Sequence, residues 1–272
     1  MTAQERADNI ALTDARQHEI TQIMRRAGRW VSHRSATVET GGTELTNVTP
    51  EQLEALRDIP TPAIANAIET FNFKPRNQGF MGPEINSIFP DMGGMIGYAV
   101  TGHIRANAQP SDRMSVKRVD WIDEILKIPA PRVIVLEDLD YPNPIGSFWG
   151  EVQGNVHTKL GCVGTVTNGG VRDLDEMEEM GFNAFAAAIL VSHAYIHLTD
   201  AGQPVNVGGL EVSSGDIILG DKHGVISIPP ELAADLPAAV KAVEDREQEI
   251  IGLCKSPDFS IEKLKAALGA RT

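Results

Sequence analysis

Cysteine is nearly absent from this chain, with two thiols, Cys162 and Cys254, in 272 residues. That is too few for a disulfide framework or a Cys-rich zinc site. Long hydrophobic runs are missing as well. No stretch approaches the roughly 18 to 20 apolar residues of a membrane span, and the N-terminus, MTAQERADNIALTDARQ, lacks the apolar core of a secretory signal. The expected setting is the reducing cytoplasm, away from membranes. Basic residues are the third shortage: 24 Lys and Arg stand against 37 Asp and Glu, a formal net charge of -13. That balance disfavours non-specific binding to nucleic acid or anionic lipid, so neither is expected as a partner. An anionic small-molecule substrate stays open, because a single Arg beside a cation dominates its local field. The remainder is ordinary for a globular chain, 42% hydrophobic and 22% charged, and the length is ample for a real core.

Taken in order, residues 3–27 predict a charged helix with a thin apolar stripe (Ile10, Leu12, Ile20, Ile23, Met24) that stops at Gly28. The stripe is too sparse for a self-standing domain and suits an arm packed on the body or on a neighbouring subunit. Residues 33–47, rich in Ser, Thr and Gly, read as a connector. Thr49-Pro50-Glu51-Gln52 is a helix start with a cap, a proline at the first position and Gln at the third. A second helix follows in TPAIANAIETF, then a loop over residues 72–86 and a strand from Gly94 to His103. Residues 118–128 are amphipathic and helical, and IPAPRVIVLED is a proline-marked turn into a buried strand. After the loop 139–150, Glu151 to Leu160 suits a helix leading to a strand at Val163, and GFNAFAAAIL suits another strand. From Ser192 to Pro229 short β-branched runs between Gly, Asp and Pro predict several short strands. ELAADLPAAVKAVEDREQEIIGLC predicts one long amphipathic helix with Leu232, Leu236, Val240, Val243 and Ile250 on its stripe. SPDFSIEKLKAALG predicts a last helix opened by a Ser-Pro cap. No internal repeat or low-complexity segment interrupts the chain.

The chemistry concentrates in VGTVTNGGVRDLDE, Val163 to Glu176. A strand runs into the pair Gly169-Gly170 and is followed at once by Arg172, Asp173 and a helical segment, the place where α/β proteins build sites. Arg172 offers a planar fork that matches a carboxylate. Asp173 is a hard oxygen ligand for a divalent cation, and Glu176 lies one turn further on. The same residues also suit a plain helix start whose acidic first turn pairs with an Arg. Twenty intervening residues before Arg172 stands Glu151, behind Gly150, where a helix N-terminus has free amides for an anion. If that helix start and that strand end lie side by side, Glu151, the amides around Val152, Arg172 and Asp173 converge. That set suits a small α-keto acid held with a divalent metal. The glycine pair lacks the spaced glycines of a dinucleotide-binding turn.

Gly-Glu, twenty residues, Arg-Asp, two residues and Glu, set in GCVGTVTNGGVRDLDE, resembles the RraA-like family, which includes the class II pyruvate aldolases acting on 4-hydroxy-4-methyl-2-oxoglutarate and 4-carboxy-4-hydroxy-2-oxoadipate. The resemblance continues through SHAYIHLTDAGQPVNVGGLEVSSGDIILGDKHGVISIP. It implies an α/β fold, a layered core of the swivelling β/β/α type with an N-terminal helical extension and C-terminal helices. The corresponding divisions are an arm and connector over 1–47, a catalytic core over 48–252 and a helical tail over 253–272. It implies a Mg²⁺- or Mn²⁺-dependent lyase that cleaves or decarboxylates a pyruvate-yielding 2-keto acid through a metal-stabilised enolate. Arg172 would bind the keto-carboxylate and stabilise the enolate, with Gly150 and Val152 beside it. Asp173 would ligate the metal, Glu151 would reach it directly or through water, and Glu176 would complete the motif. Glu247, in VEDREQEI, matches a glutamate that the aldolases take from a neighbouring subunit of a homotrimer or hexamer with inter-subunit sites. Position 151 departs from the aldolases, which commonly carry the shorter Asp there.

The family's other function is non-catalytic, as a regulator bound to an RNA-processing enzyme. Regulators can dispense with the metal set, whereas this chain keeps an Asp after the Arg and an acid before the twenty-residue gap. Histidine adds little to the prediction. His193 and His197, read as strand residues, would sit about 13 Å apart on one face, too far to share an ion. His223 in GDKHGV either caps a turn with Asp221 or faces the site. No residue is marked as the base, which leaves a metal-bound water in that role.

Overall fold

The computed structural model describes residues 48–110 and 115–269; the helix expected over 3–27 and the connector over 33–47 lie outside them. The described residues fall into two compact units, 48–62 with 74–234 and 63–73 with 235–269. None of their helices is long and apolar enough to cross a membrane.

The larger unit opens with α1 (Pro50–Arg57), begun as its sequence demands. Thr49 Oγ1 accepts from the Gln52 amide at 3.3 Å, and the Gln52 side chain accepts from the Thr49 amide at 2.8 Å. The next helix, α2 (Thr61–Thr70), belongs to the smaller unit from Ala63 onward, and its first residue is held by one distant in sequence: Asp221 accepts from the Thr61 amide at 2.9 Å and its hydroxyl at 2.7 Å. The short β1 (Asn86–Ser87) comes before the main alternation of strands and helices. This runs β2 (Met95–Arg105), α3 (Arg118–Leu126), β3 (Arg132–Asp138), α4 (Glu151–Lys159), β4 (Cys162–Val171), α5 (Leu174–Glu179) and β5 (Asn183–Ile189). The strands β2, β3, β4 and β5 lie side by side in that order, all parallel. A strand in such a sheet is covered on both faces and reads as an unbroken apolar run. In β3, Val133, Ile134, Val135 and Leu136 are all fully buried.

The remaining strands close around the long β2. Its first half pairs antiparallel with β9 (Ile217–Asp221) and its second half with β6 (His197–Ala201). Beyond β9 lies β10 (Gly224–Ile228), and β1 pairs with β5 at the other edge. One sheet face carries Met95, Val133, Val135, Val166 and Phe185. They form one apolar cluster with Val205, Val207 and Val212 of a separate hairpin, β7 (Val205–Val207) and β8 (Leu210–Val212). Its turn is Gly208-Gly209, both at positive φ (57° and 76°), as a two-residue hairpin turn of this hand requires.

The smaller unit contains α6 (Leu236–Lys255) packed with α7 (Ile261–Gly269). Three expectations change here and nearby. The long helix does not begin at Glu231, because Pro237 has no N–H for the Ala233 carbonyl and its ring would clash there. The run breaks into a 3-10 turn at Pro230–Leu232 followed by α6, and the stripe is buried only at Leu236 and Val240 within that helix, Val243 and Ile250 being half-buried. The last helix is capped by Ser260, whose Oγ accepts from the Lys263 amide at 3.2 Å, while Ser256 serves a turn with Asp258. Finally, residues 192–196 are loop, with Ala194 at φ 43°, so the strand starts only at His197.

Candidate active site

A helix that connects two parallel strands runs against them, so its N-terminus arrives where the strands end. The helix α4 packs on β4 in this way, and its first residues meet the residues that follow β4. The Glu151 amide donates to Asp173 Oδ2 at 3.0 Å, and Arg172 Nη1 lies 3.4 Å from Asp173 Oδ1. Gly150 is the N-cap of α4, in extended backbone. A Cβ there would stand 2.5 Å from Asp173 Oδ2 and 3.3 Å from Arg172 Cγ and Nε, so only the absence of a side chain permits this approach.

The strand end is shaped by glycine as well. The pairing of β4 with β5 shifts register between Thr167 and Gly170, a bulge that turns the strand before Arg172. Side chains on the glycine pair would collide with Asp138 at Gly169 and with Leu190 at Gly170. Asp173 follows at φ 54°, a left-handed conformation that a non-glycine residue adopts at a cost and that Asp tolerates better than most. Its side chain points back at the start of α4.

Behind the junction lies a set of rings that holds α4 in place. Trp121 of α3 donates Nε1–H to His157 Nε2 at 3.0 Å, and His157 Nδ1 donates to the Gln153 carbonyl at 2.7 Å. Both ring nitrogens are committed, and burial pushes the His157 pKa down to about 4, so this imidazole is neutral. Trp149 stands edge-on to it at 4.9 Å. The loop over the junction is tied down by Ser147, which takes an N–H bond from Trp149, donates to a backbone carbonyl (Trp149 or Gly170, each at 2.7 Å) and gives its own amide to Ser192.

A cleft of about 460 Å³ opens at this junction. Arg172 and Gly150 line it, as do Val152 and Gln153, whose amides have no intrahelical acceptor. Sequence reasoning missed several of its walls: Arg118 at the start of α3, and His193, Ala194 and Tyr195 from the loop after β5. The signal that nominates them is positional, since ligands bind beyond the carboxyl ends of parallel strands, and these loops follow β2 and β5. Two guanidiniums line this cleft, groups suited to pairing with an anion.

The acidic residues distribute unevenly. Asp173 is at the junction, and Glu151 contributes its amide there while its carboxylate is exposed. Glu176 is exposed on α5, and Glu247 lies on α6 in the smaller unit, 3.5 Å from the Asn66 amide nitrogen. His223 forms a turn with Asp221 (His223 N to Oδ1, 2.9 Å) and does not line the cleft. Among the described residues no three His, Cys, Asp or Glu side chains gather into a metal cage. Magnesium does not need one: it keeps several waters and takes one or two carboxylates plus oxygens of the substrate. Asp173, with Glu151 next to it, fits that demand.

Asp138, at the end of β3, is 1% exposed; its Oδ1 accepts from the Asp140 amide at 2.9 Å and its Oδ2 has no partner among the described residues. Burial pushes this carboxyl up to about 6. Between pH 4 and 6 the folded state thus keeps a proton that the unfolded chain has lost. Stability contributed below that window is lost as pH rises through it, on the order of 3 kcal/mol. Denaturant unfolding of wild type and Asp138→Asn from pH 4 to 8 should show this decline in the wild type and a flatter profile in the variant. Parallel profiles would assign the pH dependence elsewhere.

The fold and the cleft define a layered α/β protein with a small cleft, lined by two arginines, at the carboxyl ends of its parallel strands. The RraA-like (Aldolase/RraA) family pattern matches residues 61–227, and the chain belongs to that family. Among solved structures it is similar to an uncharacterized protein from Pseudomonas syringae pv. tomato str. DC3000, with TM-score 0.64 and 21% identity over 85% of this chain and 99% of that one. It is also similar to RraAS2 of Streptomyces coelicolor, described as an unusual member of the RNase ES inhibitor RraA protein family, with TM-score 0.55 and 18% identity over 74% of this chain and 94% of that one. At such identities the likeness is one of fold. By sequence the chain is 24% identical over 146 residues to protein DlpA of Legionella pneumophila, 53% of this chain and 21% of that protein. It is 30% identical over 114 residues to the uncharacterized protein MJ0644 of Methanocaldococcus jannaschii, 38% of this chain and 50% of that one. The matches thus span half or less of these two relatives' lengths.

Proposed function

We propose that this protein is a divalent-metal-dependent carbon–carbon lyase. It would cleave by retro-aldol reaction, or decarboxylate, a pyruvate-yielding 2-keto acid such as a 4-hydroxy-2-oxo-dicarboxylate or oxaloacetate. The observation that carries this is the junction of helix start and strand end, where the Glu151 amide meets Asp173 Oδ2 at 3.0 Å with Arg172 alongside on the cleft wall. Arg172 grips the keto-carboxylate with its fork and offsets the charge that develops on the enolate oxygen. The amides around Val152 receive the remaining carboxylate oxygen. Asp173, with Glu151 directly or through water, would hold Mg²⁺ or Mn²⁺, which when bound supplies a Lewis acid for the keto oxygen. Glu176 and, across a trimer or hexamer interface, Glu247 of a neighbouring copy belong to the same proposal as further acidic groups. Retro-aldol cleavage and oxaloacetate decarboxylation both pass through pyruvate enolate, so one cleft serves both.

Pyruvate release from oxaloacetate and from 4-hydroxy-4-methyl-2-oxoglutarate should require Mg²⁺ or Mn²⁺, stop with EDTA and return when metal is restored. If neither substrate yields metal-dependent pyruvate, the lyase assignment fails. The alternative, a non-catalytic RraA-type regulator binding an RNA-processing enzyme, needs neither Arg172 on the cleft wall nor Asp173 beside it.

A further inference from the structure

Retro-aldol cleavage starts with removal of a proton from the C4 hydroxyl, and the lyase proposal, on which this inference rests, leaves the acceptor of that proton unnamed. Among the described residues, four titratable side chains line the cleft: Arg118, Arg172, Tyr195 and His193. The guanidiniums are permanently charged and a phenol near neutrality holds its proton, so neither type is a base there. His193 differs. Its Nδ1 lies 2.7 Å from the Ala194 carbonyl oxygen, and a carbonyl only accepts, so Nδ1 is the donor and Nε2 is the nitrogen that carries the lone pair in the neutral ring. Among the described residues nothing donates to Nε2.

The ring also sits on a loop that is held. The Ser147 amide donates to the Ser192 carbonyl at 2.9 Å, and the Tyr195 amide to the Ala106 carbonyl at 3.2 Å. The His193 carbonyl oxygen lies against Gly146, where a Cβ would come within 2.5 Å of it. Other described histidines are committed elsewhere: His157 through both nitrogens, and His103 between Asp200 (2.7 Å) and Glu137 (3.2 Å). His197 and His223 do not line the cleft.

We infer that His193 is the general base of the aldol reaction, taking the C4 hydroxyl proton on Nε2 within the cleft that Arg172 and Gly150 also line. As the O–H bond breaks, its electron pair becomes the new C4 carbonyl bond. The C3–C4 bond breaks, and that pair passes through C3 into the C2 carbonyl as the enolate, beside Arg172. C3 then takes a proton from water and the imidazolium returns one to solvent, giving pyruvate and a second carbonyl compound. Oxaloacetate decarboxylation yields the same enolate by loss of carbon dioxide and has no hydroxyl proton to remove.

That difference is the test. In His193→Asn, turnover of 4-hydroxy-4-methyl-2-oxoglutarate should fall by about 100-fold or more, while metal-dependent oxaloacetate decarboxylation should change by less than about threefold. The decarboxylation rate also reports that the variant is folded, and His193→Gln repeats the measurement with a different side-chain length. His197→Asn, outside the cleft, should leave both rates unchanged. If both rates fall together in both His193 variants, or neither falls, His193 is not the base. A wild type inactive on both substrates would overturn the lyase proposal itself, and this inference with it.

Discussion

Arg172→Lys should lower kcat/KM for pyruvate release by about 10²- to 10³-fold, roughly 3–4 kcal/mol of transition-state stabilisation, while leaving the fold intact. The charge is conserved, so the loss measures geometry. A guanidinium presents parallel N–H donors to a planar carboxylate, and an ammonium is a compact point charge on a flexible stem. The fold has little at stake, because the Arg172 side chain is 35% exposed and its contact with Asp173 is 3.4 Å long. An ion pair of that kind contributes at most about 1 kcal/mol. Steady-state kinetics with saturating Mg²⁺, alongside a thermal unfolding curve, separates the two effects. A variant that keeps a third of wild-type activity would remove Arg172 from the stabilisation of the enolate.

The side-by-side placement of positions 151 and 172, with twenty residues between them, was legible because the connection between them has only one economical geometry. A helix leaves Gly150 against the direction of the strands and β4 returns along them, so the chain comes back to the end it left. Local signals carried α1 as well, where Thr49, Pro50 and Gln52 specify the start by themselves. Sequence patterns do less well where two local signals compete. Ser256 and Ser260 both resemble caps, and only the hydrogen bond to Lys263 distinguishes them. Apolar periodicity likewise ran through Pro237, although its missing N–H breaks the helix there. Arg118 and His193 were hidden for a different reason. They enter the cleft from the helix start that follows β2 and from the loop after β5, and nothing in the residues around them records that those two strand ends share one mouth. Strand order is a property of the sheet as a whole, which is why half of the cleft was visible and the other half was not.

Gly150→Ala should uncouple the cleft from the fold. The backbone at Gly150 is extended (φ 173°), a conformation alanine adopts without strain. The new methyl would lie 2.5 Å from Asp173 Oδ2, the mobile end of a short side chain, so the carboxylate rotates away rather than the helix. What is lost is the 3.0 Å hydrogen bond from the Glu151 amide, a half-exposed interaction whose removal costs about 1 kcal/mol. Function should suffer far more, because a displacement of about 1 Å in a positioned group lowers rates by about 10²-fold. Loss of a partner that orients a metal-binding carboxylate weakens metal affinity by about 10- to 100-fold. Activity titrated with Mn²⁺ should therefore show both a lower plateau and a higher half-saturating concentration, with the thermal midpoint close to wild type. Combining Gly150→Ala with Arg172→Lys should cost less than the sum of the two, since the methyl also lies 3.3 Å from Arg172 Cγ and Nε and already disturbs that side chain. Full additivity would mean that the Asp173 carboxylate and the Arg172 guanidinium act separately, whereas a shared loss would mark them as one unit that Gly150 keeps in register.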